Sequence, residues 1–240
     1  MCYKDEATRL AGQTRYDFDD LVRITQILRS EDGCPWDREQ DHHSVRTCLI
    51  EETYEVVEAI DKEDDVLLRE ELGDLLFQIL FHAQIEDEKG VFDMQDVISD
   101  IAAKMVHRHP HVFGSARVEN SREVLQNWET IKTEEKQRNT LAEKLRAIPP
   151  MMPALMRAAK VGKKLGRAEG IDPQEQIARL EAQLHAMSEN ITNGTEPNLG
   201  EFLFSVTDLA KTLGVDAEQA LMQQTECVIA SVSAKNGAES

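Results

Sequence analysis

The chain lacks most of what a sheet or a disulfide-stapled fold is made from. Only 5% of its 240 residues are aromatic, and there are 12 glycines and 7 prolines. So few turn formers and so few β-prone rings favour helices. The four cysteines, Cys2, Cys34, Cys48 and Cys227, are scattered and form no CxxC. That pattern suits a reduced, cytoplasmic protein. No apolar run is long enough to span a bilayer, and the N-terminal MCYKDEATRL has no apolar signal core. There is no GxxxxGK[ST] loop, which excludes a P-loop NTPase, and no Ser or Cys nucleophile constellation. Positive charge is scarce: 27 Lys and Arg against 45 Asp and Glu, a net charge of -18. Such a field disfavours a nucleic-acid polymer as partner. An anionic ligand would have to be met by local cations or a metal.

Hydrophobic residues at 41% are enough for a real core, and their spacing is helical throughout. The most informative stretch is Leu49 to Gln78, LIEETYEVVEAIDKEDDVLLREELGDLLFQ. It holds two acidic pairs, Glu52-x-x-Glu55 and Glu71-x-x-Asp74, with Glu51 and Glu58 beside the first. At about 100° per residue, Glu51, Glu52, Glu55 and Glu58 fall within roughly 120° of one helix face. Leu72, Leu75, Leu76, Phe77, Ile79, Leu80 and Phe81 surround nearly the whole of the next helix, which is therefore expected to be buried. Carboxylates there need cations. Two facing helices, each with an i, i+3 acidic pair, can cage a hard, oxygen-seeking ion such as Mg²⁺. Glu58 and the acids from Asp61 to Asp65 read as an ordinary solvated face.

Around this stretch, residues 1–16 read as a polar, frayed arm, and Phe18 to Leu28 as a helix stopped by Gly33. A loop, GCPWDREQDHHS, follows, with Ser44 placed to cap the acidic helix. Trp36 reads as a core plug, with a stacking surface for a flat ligand as the alternative. A helix from Asp93 carries Val97, Ile98, Ile101 and Met105 inward, with Lys104 and Arg108 on the same stripe. Cations there want the acidic cage or a ligand's phosphates, unless they snorkel from the helix end. Pro110 ends that helix within HRHPHVFG, whose histidines read as loop packing rather than metal ligands. Asn120 and Glu123 suggest a capping box for a further helix.

The second half echoes the first. Leu199-Gly200-Glu201-Phe202-Leu203-Phe204 repeats Leu72-Gly73-Asp74-Leu75-Leu76-Phe77, but the acids are gone. Asn198 stands for Glu71, and Ala182 and His185 stand for Glu52 and Glu55. The expected division is 1–137, a linker over 138–152, and a degenerate copy over 153–240.

These residues resemble the MazG family of nucleoside triphosphate pyrophosphohydrolases from roughly Phe18 to Val232. The resemblance rests on Cys34-Pro35-Trp36-Asp37-x-Glu39-Gln40, Glu51-Glu52-x-x-Glu55, Glu71-Leu72-Gly73-Asp74, Arg108-His109-Pro110-His111-Val112-Phe113 and Pro153-Ala154-Leu155-Met156-Arg157-Ala158. It implies an all-α fold of tandem helical bundles, a homodimer, and Mg²⁺, with Mn²⁺ as a substitute. It implies cleavage of nucleoside triphosphates to monophosphate and pyrophosphate. Glu52, Glu55, Glu71 and Asp74 would hold metal. Glu51, Lys104 and Arg108 would lie near the phosphates, with Glu51 also a base or water-positioner. Where the family tends to carry Gly-Phe-Asp-Trp, this chain has Gly170-Ile171-Asp172-Pro173, a second sign that the later half is silent. Two other readings are a non-catalytic dimerising adaptor and a di-iron carboxylate bundle. The bundle needs Glu-x-x-His on two helices, whereas Glu39 to His42 is the single such pair.

Overall fold

The computed structural model describes residues 3–135 and 140–237. Among them every regular element is a helix and there is no strand, so the class is all-α as the sequence predicts. The chain forms two compact units, Met1–Trp128 and Glu129–Ser240.

The first unit begins with α1 (Tyr3–Ala11), where the sequence suggests a frayed arm. Two contacts hold it: Leu10 is buried, and Arg9 pairs with Asp20 at 3.0 Å. Asp20 is on α2 (Phe18–Arg29), whose start is closed by a capping box between Asp17 and Asp20. The chain then reverses at Gly33, where a Cβ would collide with the carbonyls of Ile27 and Leu28. The expected loop contains a short helix, α3 (Pro35–Glu39), with proline in its first turn. Trp36 on it is 59% exposed, so it is not a core plug: a one-turn helix on the rim has no second layer to cover the ring.

Next come α4 (Arg46–Asp61) and α5 (Asp65–Asp87). Ser44 does not cap α4; it hydrogen-bonds Asp41 instead. Asp64 caps α5, accepting from the backbone N–H of Val66 and Leu67. With only Lys62 to Asp64 between them, the two helices pack as an antiparallel hairpin. Fully buried Ala59 lets them close near the turn. The core lies at the other end, where Val45, Phe81 and Ile85 pack with Phe77.

Arg29 ties this end together. Its guanidinium lies 4.9 Å over the Phe81 ring and pairs with Glu88, and it donates to the carbonyls of Asp37 and Gln40. A buried arginine needs such a full set of partners.

The expectation that α5 has almost no solvent side fails in its first half. Leu72 is 49% and Ile79 40% exposed, and Asp74 is exposed too; full burial starts at Leu80. The apolar girdle is real, but α2 and α6 cover only the later turns.

α6 (Met94–Arg108), capped by Asp93, packs on α5. Pro110 ends it and opens α7 (Pro110–Phe113). α8 (Ser121–Glu135) starts beside the Asn120–Glu123 contacts, and the boundary between the units falls within it.

The second unit continues with α9 (Leu141–Arg146), α10 (Ala154–Leu165), α11 (Pro173–Thr192), α12 (Leu199–Thr212) and α13 (Ala217–Gly237). α9 lies inside the stretch expected to be linker and packs on α10; residues 136–139 lie outside the described residues. Pro153 precedes α10, as predicted. Both α10 and α11 pack on α12, and α13 packs on α10 and α12. The Glu218 carboxylate accepts from the N–H groups of Leu155 and Met156, a cap supplied to α10 from α13.

Candidate active site

The α4–α5 hairpin puts positions 52 and 55 opposite positions 74 and 71, because the turn is centred on residue 63. Carboxylate oxygens of Glu52, Glu55 and Glu71 lie within 4.8 Å of one another. Gln78, one helical turn beyond Asp74, donates its side-chain N–H to Glu52 Oε1 at 3.5 Å. It shares the face of Glu71 and Asp74, so its spacing could have revealed it.

The electrostatics follow from this crowding. The Glu52 carboxyl is raised above its ordinary value first by burial, then by the charges of Asp74 and Glu55. Glu71 is likewise raised by desolvation, then by Glu55 and Asp74. Asp74 is thus electrically part of the cluster, although its oxygens are not among the three that converge. Like charges this close hold a proton or a cation. The donor set, all carboxylate oxygen, suits a hard divalent ion.

The other expected site residues are not gathered into this cluster. Glu51 is exposed on α4 and outside the converging group. Lys104 is exposed on α6, because the stripe it shares with Ile101, itself 46% exposed, is only half covered. Arg108 is buried, and its guanidinium lies 5.3 Å over the Trp128 ring. In the second unit Glu201 is exposed and turned to its own helix start, where Asn198 caps α12.

A second polar group went unseen in the sequence. His42 and His82 stack with ring centroids 5.1 Å apart and Nδ1 atoms at 2.8 Å, and His42 Nε2 meets Glu86. Burial and the neighbouring His42 hold His82 below its ordinary value. Forty residues separate the rings, so no local spacing announces them. No imidazole joins the three-carboxylate cluster among the described residues, which removes the support for a di-iron bundle.

Residues 40–113, from the end of α3 through α7, match the profile of the MazG nucleotide pyrophosphohydrolase domain. A protein of Escherichia coli K12 named nucleoside triphosphate pyrophosphohydrolase is 41% identical over 218 residues, covering 87% of this chain and 82% of that protein. The chain belongs to the MazG family. A Thermotoga maritima relative, named nucleoside triphosphate pyrophosphohydrolase/pyrophosphatase MazG, is 39% identical over 211 residues, covering 87% of this chain and 81% of its own. A Mycobacterium tuberculosis protein with the pyrophosphohydrolase name is 34% identical over 158 residues, 65% of this chain and 48% of its own. The MazG match takes in all seven expected site residues, Glu51, Glu52, Glu55, Glu71, Asp74, Lys104 and Arg108.

Proposed function

We propose that this MazG protein hydrolyses nucleoside triphosphates to the monophosphate and pyrophosphate, with the first unit as the catalytic one. The convergence of Glu52, Glu55 and Glu71 on one hairpin carries the reading. Glu52, Glu55 and Glu71 would hold a divalent ion, Mg²⁺ or Mn²⁺, with Asp74 as a further ligand or a reserve of charge. The raised carboxyls of Glu52 and Glu71 support this, since a cation is what relieves them. Such an ion supplies neutralisation of phosphate oxygens and a more acidic water. Gln78 keeps Glu52 in orientation. Glu51, exposed beside the cluster, accepts a proton from the attacking water. Lys104, exposed and unburdened by burial, meets the phosphates and steadies charge on the departing pyrophosphate. Arg108, held over Trp128, sets the end of α6 and offers the same kind of charge.

We also propose a homodimer working in the cytoplasm. Ile50, Tyr54 and Val57 follow one helical stripe of α4, and all are exposed, as are Ile60, Leu72 and Ile79 nearby. A second copy would cover such a patch. No helix among the described residues is long and apolar enough to cross a membrane.

A panel of ribo-, deoxy- and modified nucleoside triphosphates with Mg²⁺ tests the activity, with monophosphate and pyrophosphate as expected products. No pyrophosphate from any of them would leave the non-catalytic adaptor. Light scattering tests the dimer, and a lone monomer at micromolar concentration would reject it.

A further inference from the structure

The loop before α4 is fastened to the later turns of α5 by a polar cluster that the catalytic reading leaves unused. His42 lies between α3 and α4, and His82 and Glu86 stand one turn apart on α5. The two imidazole planes are nearly parallel, at 11°, with the Nδ1 atoms 2.8 Å apart, and His42 Nε2 meets Glu86 Oε1. Lys89 Nζ donates to the same Glu86 oxygen at 2.7 Å. His82 Nε2 is buried with no hydrogen-bond partner among the described residues.

These contacts fix where the protons are. Lys89 and then His42 hold the Glu86 carboxyl below its ordinary value, so it is ionised and can only accept. His42 Nε2 therefore carries a proton. Two facing Nδ1 atoms at hydrogen-bond distance share one proton. In the neutral pair it belongs to His82, since neutral His42 already has its N–H on Nε2. One further proton fits without breaking the bond. His82 then carries its proton on Nε2 and gives the bridge to His42 Nδ1, and the charge lies on His42 beside Glu86. A second does not fit, because it puts an N–H on both facing atoms and a charge on both rings. Closed, the pair takes one proton fewer than two free imidazoles.

The surroundings keep that count. Burial and then His42 hold His82 below the ordinary 6.5, and no charge on α2, α4 or α6 acts on it. Arg29 of α2 is committed to Glu88, and in the loop the Asp41 carboxylate is held by the N–H groups of His43 and Ser44. His82 thus stays neutral while the cluster is closed. Its contribution to the closed state is full above pH 6.5 and is lost as the pH falls below it.

The α4–α5 hairpin is joined at one end by the turn from Lys62 to Asp64 and at the other by this cluster, with Glu52, Glu55 and Glu71 between. We infer that His42, His82 and Glu86 form an acid-released latch that clamps the start of α4 to α5. Opening frees the loop from Asp41 to Ser44, which runs between Gln40, whose carbonyl Arg29 holds, and Val45 in the core. The latch stands without the catalytic reading; only its effect on the register of the carboxylates rests on that reading.

Hydrogen exchange of the full chain without divalent metal tests this at the Val45 amide, which donates to the Asp41 carbonyl at 3.2 Å. After correction for the intrinsic rate, protection is expected to be level from pH 8 to about 6.5. Below that it is expected to fall about tenfold per pH unit, the slope of one excluded proton. In His82→Leu, which takes no proton and buries no orphaned nitrogen, that fall is expected to vanish. A level wild-type profile down to pH 5.5 overturns the inference, as does a fall of the same slope in His82→Leu. A second readout needs no variant. The imidazole nitrogen signals of the wild type at pH 5.5 are expected to show at most one charged ring while the Val45 amide is protected. Two charged rings in the protected state overturn the latch.

Discussion

The α4–α5 hairpin and the α11–α12 pair carry the same Leu-Gly-acid-apolar-Leu-Phe pattern and put opposite chemistry around it. In the register that pairs Gly73 with Gly200, Phe81 corresponds to Asp208. Phe81 fills the first unit's core with Arg29 over its ring. Asp208 is buried in the second, paired with Arg167, which lies 4.9 Å over Phe204. Both units thus have an arginine on a phenylalanine, but one packs apolar groups where the other packs an ion pair. The acids run the other way: the first unit crowds three carboxylates near the turn, and the second keeps only Glu201. The second pair lacks the acidic cluster but holds a buried ion pair in its interior. The lesson is that a helical hairpin tolerates buried charge at different heights, provided partners come with it.

The sharpest way to break the comparison is at the shared core position. Phe81→Ala is expected to cost about 3–5 kcal/mol, read as a fall in the denaturation midpoint, because it opens a cavity among Val45, Ile85 and Phe77. A negligible change would mean that the first unit does not depend on this core.

At the acids, Glu71→Gln or Asp74→Asn is expected to lower Mg²⁺-dependent pyrophosphate release at least about a hundredfold, by removing charge from a site that must hold a divalent ion. Glu201→Gln is expected to leave it within about twofold, a surface-type effect. Equal losses from Asp74→Asn and Glu201→Gln would show that the second unit is not silent.

Metal and pH give the third contrast. Glu52 and Glu71 have folded values raised above the 4.5 of a free glutamate. Their contribution to stability is therefore full below that value and is lost as pH rises through their raised values. Mg²⁺ binds the ionised form, so its stabilising effect grows across the same window, to about 2.7 kcal/mol at a hundred times Kd. Thermal melts with and without Mg²⁺ at pH 5 and pH 8 check this; a larger effect at pH 5 contradicts it.

Smaller effects follow. A Cβ at Gly162 would stand 2.5 Å from the Asp208 carboxylate, so Gly162→Ala is expected to cost about 1–3 kcal/mol in the second unit, with catalysis in the first unaffected. Lys104→Ala is expected to slow turnover about tenfold while leaving Mg²⁺ binding intact, since an exposed cation on the substrate is partly screened. Loss of metal binding in that variant would move Lys104 from the phosphates to the cage.

By itself the sequence determined the helical class, the hairpin and the pairing of its acids. These are local: 3.6-residue periodicity fixes which side chains share a face, and a three-residue turn fixes which faces meet. The absence of acids at Ala182, His185 and Asn198 around Glu201 is read directly from the sequence. Only the tertiary structure decided burial. An apolar girdle from Leu72 to Phe81 says nothing about which turns neighbours cover, so Leu72 and Asp74 came out exposed while Phe81 did not. Only packing brought His42 to His82, put Arg108 over Trp128, and buried the Gln176 amide with no hydrogen-bond partner among the described residues. Each of these depends on residues tens of positions apart, where chain connectivity sets no geometry and only the packing of whole helices does.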